Sequence, residues 1–119
     1  MRILVILLAG AAGIMPALAF AQSKTFSGRA AYYGNNYKGK TASGQIYDGA
    51  KFTAAHKTLP FGTRLRVIDT RTGRSVVVVV NDRGPFTPGR VIDLSLAAAT
   101  SLGMIERGVI PVNVEHITE

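Results

Sequence analysis

The stretch VVVVVNDRGPF, residues 76–86, governs how the rest of the chain reads. Five consecutive valines are a β-branched run, which predicts a strand buried on both faces. The run stops at Asn81-Asp82-Arg83-Gly84-Pro85, a cluster of turn formers carrying one acid and one base. A stiff strand that delivers a carboxylate and a guanidinium onto a turn is one way a fold places chemistry at a barrel mouth or sheet edge. The plainer alternative is that Asp82 and Arg83 cap the turn and pair with each other.

On either side the pattern stays short and β-like. Residues 64–68 alternate charged and apolar side chains, 69–73 make a loop ending in glycine, and 74–80 return, which predicts a β-hairpin. Residues 28–34, with small side chains and two tyrosines, read as a first strand; 35–44 are rich in Gly, Asn, Ser and Thr and read as loop. Residues 52–56 fit a strand or a short helix, and Pro60 and Gly62 force a bend before the hairpin. Downstream, Thr87-Pro88-Gly89 is a turn and 90–94 a short strand. Ser95 is a good N-cap for LAAATSL, a helix ended by Gly103. Residues 109–115 close the chain as a strand, with Pro111 expected at an edge or near the strand start. Six short strands and one helix predict a small, closed, mostly-β barrel.

The first 21 residues read as a signal peptide: Arg2 supplies a positive charge, an apolar run follows, and Ala19-Phe20-Ala21 offers small residues for cleavage before Gln22. The run is broken by Gly10, Gly13 and Pro16 and is short for a membrane span, so no membrane anchor is expected after cleavage. Residues 22–119 are enough for one domain. There is no cysteine, so an exported domain must stand on its core alone, and no lipid-bearing cysteine is available. Without Arg2, 13 basic side chains face 7 acidic ones, a balance of +6 that suggests an anionic partner. For an exported chain the bacterial wall is a nearer polyanion than nucleic acid, which is not expected as a partner, though net charge alone does not decide between them.

Several chemistries find no support. No cysteine and scattered acids leave no metal-ligand set, and neither a GxSxG elbow nor a phosphate-cradling glycine loop is present. His116 reads as a surface group, whereas His56 falls where it can approach the DRGP turn. Asp48, Asp69, Glu106, Glu115 and Glu119 read as peripheral. Asp93 is expected to bond turn or helix-start amides. Asp82 is the candidate acid, with burial raising its pKa and Arg83 lowering it, a balance the sequence leaves open.

Three ordered motifs then carry a resemblance: GRAAYYGNNYKGKTASGQIYDGAKFTAAHKTLPFGT, GRSVVVVVNDRGPF and GRVIDLSLAAATSLGM. Together they resemble the rare lipoprotein A family of double-psi β-barrel domains, over nearly all of residues 22–119. The resemblance implies a mostly-β fold, a six-stranded double-psi β-barrel with one or two short helices, related to the barrels of expansins and endoglucanases. It also implies an exported protein, in the periplasm or secreted, acting as a lytic transglycosylase on peptidoglycan glycan strands stripped of their peptides. In such a reaction the sugar's own 6-hydroxyl attacks and leaves a 1,6-anhydro end, so one acid/base can serve both steps. A monomer without cofactor is expected. No counterpart of the lipobox cysteine or of the C-terminal glycan-binding domain of the family's longer members is expected.

The family's active members resemble one another in a Glu, His, Asp trio, which maps onto Gln45, His56 and Asp82. Two match and the first does not. An amide has nearly the shape of a carboxylate but neither takes nor gives a proton. The resemblance thus implies Asp82 and His56 as catalytic residues, with Gln45, Tyr33, Thr41, Ser43 and Arg83 contacting sugar. The alternative is a non-catalytic, expansin-like wall-binding module.

Overall fold

A computed structural model describes residues 24–118; the expected signal peptide, residues 1–21, lies outside them. Six strands form the barrel: β1 (Thr25–Tyr32), β2 (Thr53–Ala55), β3 (Arg64–Asp69), β4 (Ser75–Asp82), β5 (Arg90–Leu94) and β6 (Ile110–His116), with one helix, α1 (Leu96–Leu102), between the last two. They close in the order β1-β5-β2-β4-β3-β6. β1 with β5 and β2 with β4 run parallel, and the remaining neighbours are antiparallel. This mixed, closed six-stranded ring is the expected barrel, and the β3–β4 pair is the expected hairpin.

Alternation builds the interior. Leu65 and Val67 of β3, Val76, Val78 and Val80 of β4, Ile92 and Leu94 of β5, and Ile110, Val112 and Val114 of β6 all point inward and are buried. Ala98, Ala99 and Leu102 of α1 pack onto the same core, with Met104 just beyond the helix. The valine run is therefore not buried on both faces as expected. Val79 is 36% exposed and Val77 half-buried, because one face of a barrel strand looks outward.

Local chemistry explains the ends of the elements. Ser95 Oγ accepts the Ala98 N–H at the start of α1, and Gly103, at φ 77°, closes it in the left-handed conformation that glycine tolerates best. The ambiguous segment at 52–56 resolves as the three-residue strand β2. β1 begins at Thr25, ahead of the expected start at Gly28, because it pairs along its length with β6. Gly28 lies where the strands pass closest: a Cβ there would sit 2.4 Å from Val91 Cγ1. Pro111 is near the start of β6, and its carbonyl accepts the Thr70 N–H. Asp69 corrects the expectation of a peripheral loop acid. It ends β3 with no exposed surface, and its carboxylate is ion-paired with Arg107 and accepts the Arg71 N–H. His116, expected at the surface, is half-buried.

Candidate active site

Asp82 is not on a turn; β4 runs through it. By alternation it should follow Val76, Val78 and Val80 into the core. It does not, because the β2–β4 register slips by one residue: Ala54 faces Val80, whereas Ala55 faces Asp82. Asn81 is the extra residue, and the bulge turns Asp82 onto the outer face. A similar slip in β5, where Ala30 faces Ile92 after Arg29 faces Arg90, passes over Val91. Ala31 and Ala55 then both lie level with Asp93. One rung of the outer face thus reads Asp82, Ala55, Asp93, Ala31 across four strands, two carboxylates separated by the small side chain of an alanine.

Asp82 is held by three donors. Its Oδ2 accepts the Tyr33 hydroxyl at 2.5 Å, and its Oδ1 accepts the N–H groups of Ala42 at 2.7 Å and Arg83 at 2.9 Å. Burial, followed by the Asp82 carboxylate, pushes the Tyr33 hydroxyl far above the usual tyrosine range, so the phenol stays a donor. Arg83 does not pair with Asp82 through its side chain. Its guanidinium donates to the carbonyls of His56 and Leu59 at 3.2 and 2.8 Å and lies 4.1 Å over the Phe61 ring. Arg83 thereby fixes the 57–63 bend, which overturns the reading of an Asp82–Arg83 ion pair.

His56 reaches Asp82 through the backbone, its N–H donating to the Asp82 carbonyl at 3.1 Å. Its ring packs edge-on against Phe26, and Nδ1 accepts the N–H groups of Thr58 and Leu59, both at 3.1 Å. Burial first, then Arg83 and Lys57, pull its pKa below the ordinary histidine value. A neutral ring with Nδ1 as acceptor and Nε2 carrying the proton satisfies these bonds.

The loop carrying Gln45 is built onto the bulge. Ser43 N–H donates to the Asn81 carbonyl, and buried Thr41 shares a 2.9 Å bond with Ser43 Oγ while its own hydroxyl donates to the Gln45 carbonyl. The Gln45 Oε1 accepts from Asn81 Nδ2 at 3.1 Å. Beside it, Tyr33 and Tyr47 stack at 4.5 Å, with Tyr37 edge-on to both. A cavity of about 530 Å³ opens over Tyr37, Tyr47 and Lys38, and a second of about 320 Å³ over Gln45 and Asn81. They share Ile46, Asp48 and Lys51 as a common wall, so one cleft runs from Gln45 and Asn81 to the tyrosines.

The structure therefore gathers Asp82, Tyr33, Thr41, Ser43 and Gln45 around the bulge, and places His56 and Arg83 behind it through backbone contacts. Asn81 and Asp93 were not singled out as site residues from the sequence. The available signal was parity: Asp82 is in phase with three core valines, where a carboxylate is out of place, though parity alone does not say how the strand resolves it. Asp93 also departs from its expected role. Its Oδ1 is buried and has no hydrogen-bond partner. Burial raises its pKa, Arg90 opposes the shift, and Asp82 adds to it. Among the described residues no three His, Asp or Glu side chains gather as a metal-holding set, and no helix is long and apolar enough to cross a membrane.

A family model described as lytic transglycolase matches residues 25–114. A probable endolytic peptidoglycan transglycosylase RlpA of Nostoc sp. is 57% identical over 94 residues, covering 76% of this chain and 25% of that protein. The endolytic peptidoglycan transglycosylase RlpA of Vibrio cholerae is 50% identical over 95 residues, covering 79% and 36%. The chain thus spans about a quarter to two fifths of the curated relatives it matches. Among solved structures, the Streptomyces papain inhibitor superposes with a TM-score of 0.66 at 27% identity, over 80% of this chain and 96% of that one. Apo Clavibacter michiganensis expansin gives a TM-score of 0.62 at 25% identity, over 81% and 52%.

Proposed function

The chain belongs to the lytic transglycolase family of double-psi β-barrel domains, and from that we propose that it cleaves peptidoglycan glycan strands by intramolecular transglycosylation. The observation that carries the reading is the family match over residues 25–114, within which the bulge turns Asp82 onto the outer face next to the Gln45 loop. The preferred substrate is the peptide-free strand. The sugar's 6-hydroxyl attacks its own anomeric carbon, and the chain ends in a 1,6-anhydro ring. Asp82 is the proton-transfer residue, and His56 and Arg83 hold the segment beside it. Gln45, Thr41, Ser43 and Tyr33 contact sugar, with the tyrosine cluster as a stacking wall. Residues 1–21 direct export and residues 22–119 work as a monomer in the periplasm or outside the cell. Digestion of peptide-free strands, with mass spectrometry for anhydro ends, is the test; no such ends, or an unchanged yield with Asp82→Asn, rejects the reading.

Gln45 favours a second reading, a non-catalytic wall-binding module of the expansin kind, since an amide moves no proton. Its prediction is retention on insoluble peptidoglycan with anhydro ends appearing only in Gln45→Glu. Activity in the natural sequence removes it.

A further inference from the structure

Cleaving a glycosidic bond without water still needs two proton movements. The departing oxygen must gain a proton and the attacking 6-hydroxyl must lose one. Gln45 can do neither. Asp82 accepts hydrogen bonds on both oxygens, from Tyr33, Ala42 and Arg83, an arrangement that favours the carboxylate, the form a base must start in. One acid/base can serve both movements in turn, but a second group lets them occur together, and Asp93 is the other carboxyl on the same rung. It stands two strands from Asp82, roughly 10 Å away at Cα, with only Ala55 between them. Asp93 remains partly exposed, so it reaches the face on which Asp82 lies. Ile92 and Leu94 point into the core on either side of it, which aims Asp93 outward.

From this juxtaposition, and resting on the transglycosylase reading above, we infer that Asp93 is the proton donor to the leaving glycosidic oxygen and Asp82 the base for the 6-hydroxyl. The Asp93 carboxyl gives its proton to O4 as the C1–O4 bond breaks. O6 forms its bond to C1 and releases its proton to the Asp82 carboxylate. No water and no redox equivalent is consumed. Both groups are partly exposed, so proton exchange with solvent then restores them. The groups facing Asp93 are Asp82 across Ala55, Arg90 on its own strand and Tyr33 beyond β1. Desolvation and the Asp82 charge push the Asp93 carboxyl above the ordinary carboxylate range, and Arg90 opposes them. One carboxylate wrapped by three donors and a second carboxyl with an unpartnered buried oxygen are the two unlike environments that an acid and a base need.

The experiment uses the full chain as wild type, Asp93→Asn and Asp82→Asn, on two substrates. One is the peptide-free glycan strand; the other is a p-nitrophenyl β-glycoside of N-acetylmuramic acid, whose nitrophenolate departs without a proton. Asp93→Asn is expected to lose about 10²- to 10³-fold on strands and less than about tenfold on the aryl glycoside, while Asp82→Asn loses on both. The fall in wild-type strand cleavage at high pH should also disappear in Asp93→Asn, and its thermal midpoint should equal or exceed the wild type's. A loss under about tenfold on strands, or equal losses on both substrates, overturns the Asp93 assignment and leaves the transglycosylase reading standing. No anhydro ends from wild type on strands overturns both.

Discussion

Asp69 and Asp93 are two carboxylates drawn out of water, and the barrel treats them in opposite ways. The Arg107 guanidinium, aided by the Arg71 N–H, holds Asp69 down at about 2 against an ordinary 3.8, with burial opposing. Its stabilising contribution is complete above about pH 4 and is lost as the pH falls through 2. Asp69→Asn should therefore cost on the order of 2 kcal/mol at pH 7 and little near pH 2, which denaturant melts at both pH values would measure. For Asp93 the sign reverses. An acid whose folded pKa is raised loses stability as pH rises past its unfolded value of 3.8, since only the unfolded chain ionises freely. Asp93→Asn should raise the thermal midpoint at pH 7 and leave it unchanged at pH 3. Tyr33→Phe removes the 2.5 Å bond to Asp82 with little change in shape, so anhydro-product yield should fall about tenfold while retention on peptidoglycan stays.

At the level of elements, the bulge at Asn81 decides what β4 can do. Deleting Asn81 would bring Asp82 back into phase with Val76, Val78 and Val80 and press a carboxylate into the core. The expected result is no folded protein, read as loss of dispersed amide resonances. Asn81→Ala keeps the backbone and loses only the bond to Gln45 Oε1, so it should fold and melt slightly earlier. Ser95 ties three elements at once: its Oγ donates to the Lys51 carbonyl at 2.6 Å and accepts the N–H groups of Thr53 and Ala98. Ser95→Ala unties β2 from α1 and should cost about 2 kcal/mol, measured by urea unfolding.

Across the whole molecule, closure is non-local. Both neighbours of β1 in the ring, β5 and β6, come from the far end of the chain. A ring of such pairings folds slowly relative to helical proteins of this size, and it has no free edges once closed. Salt should act on binding more than on the fold. The net charge of +7 over the full chain is screened at a distance of about 8 Å in physiological salt. Retention on peptidoglycan should accordingly fall as NaCl is raised, while the thermal midpoint changes little.

The strands of the β3–β4 hairpin and both caps of α1 could be read from residues 24–118 of the sequence because each follows from local rules, and the run of short strands pointed to a barrel. A period of two marks a strand, serine caps a helix start, and glycine takes the left-handed exit. The direction of Asp82 could not be read that way, because the slip depends on which residues of β2 stand opposite β4. The same holds for Arg83, whose guanidinium is claimed by carbonyls on the 56–59 segment, and for Asp69, which finds Arg107 beyond the helix. The missing partner of Asp93 is likewise a fact about its neighbours in space. Periodicity along the chain determined the strands, and contacts between distant segments decided how they close, where the carboxylates point and which of them are satisfied.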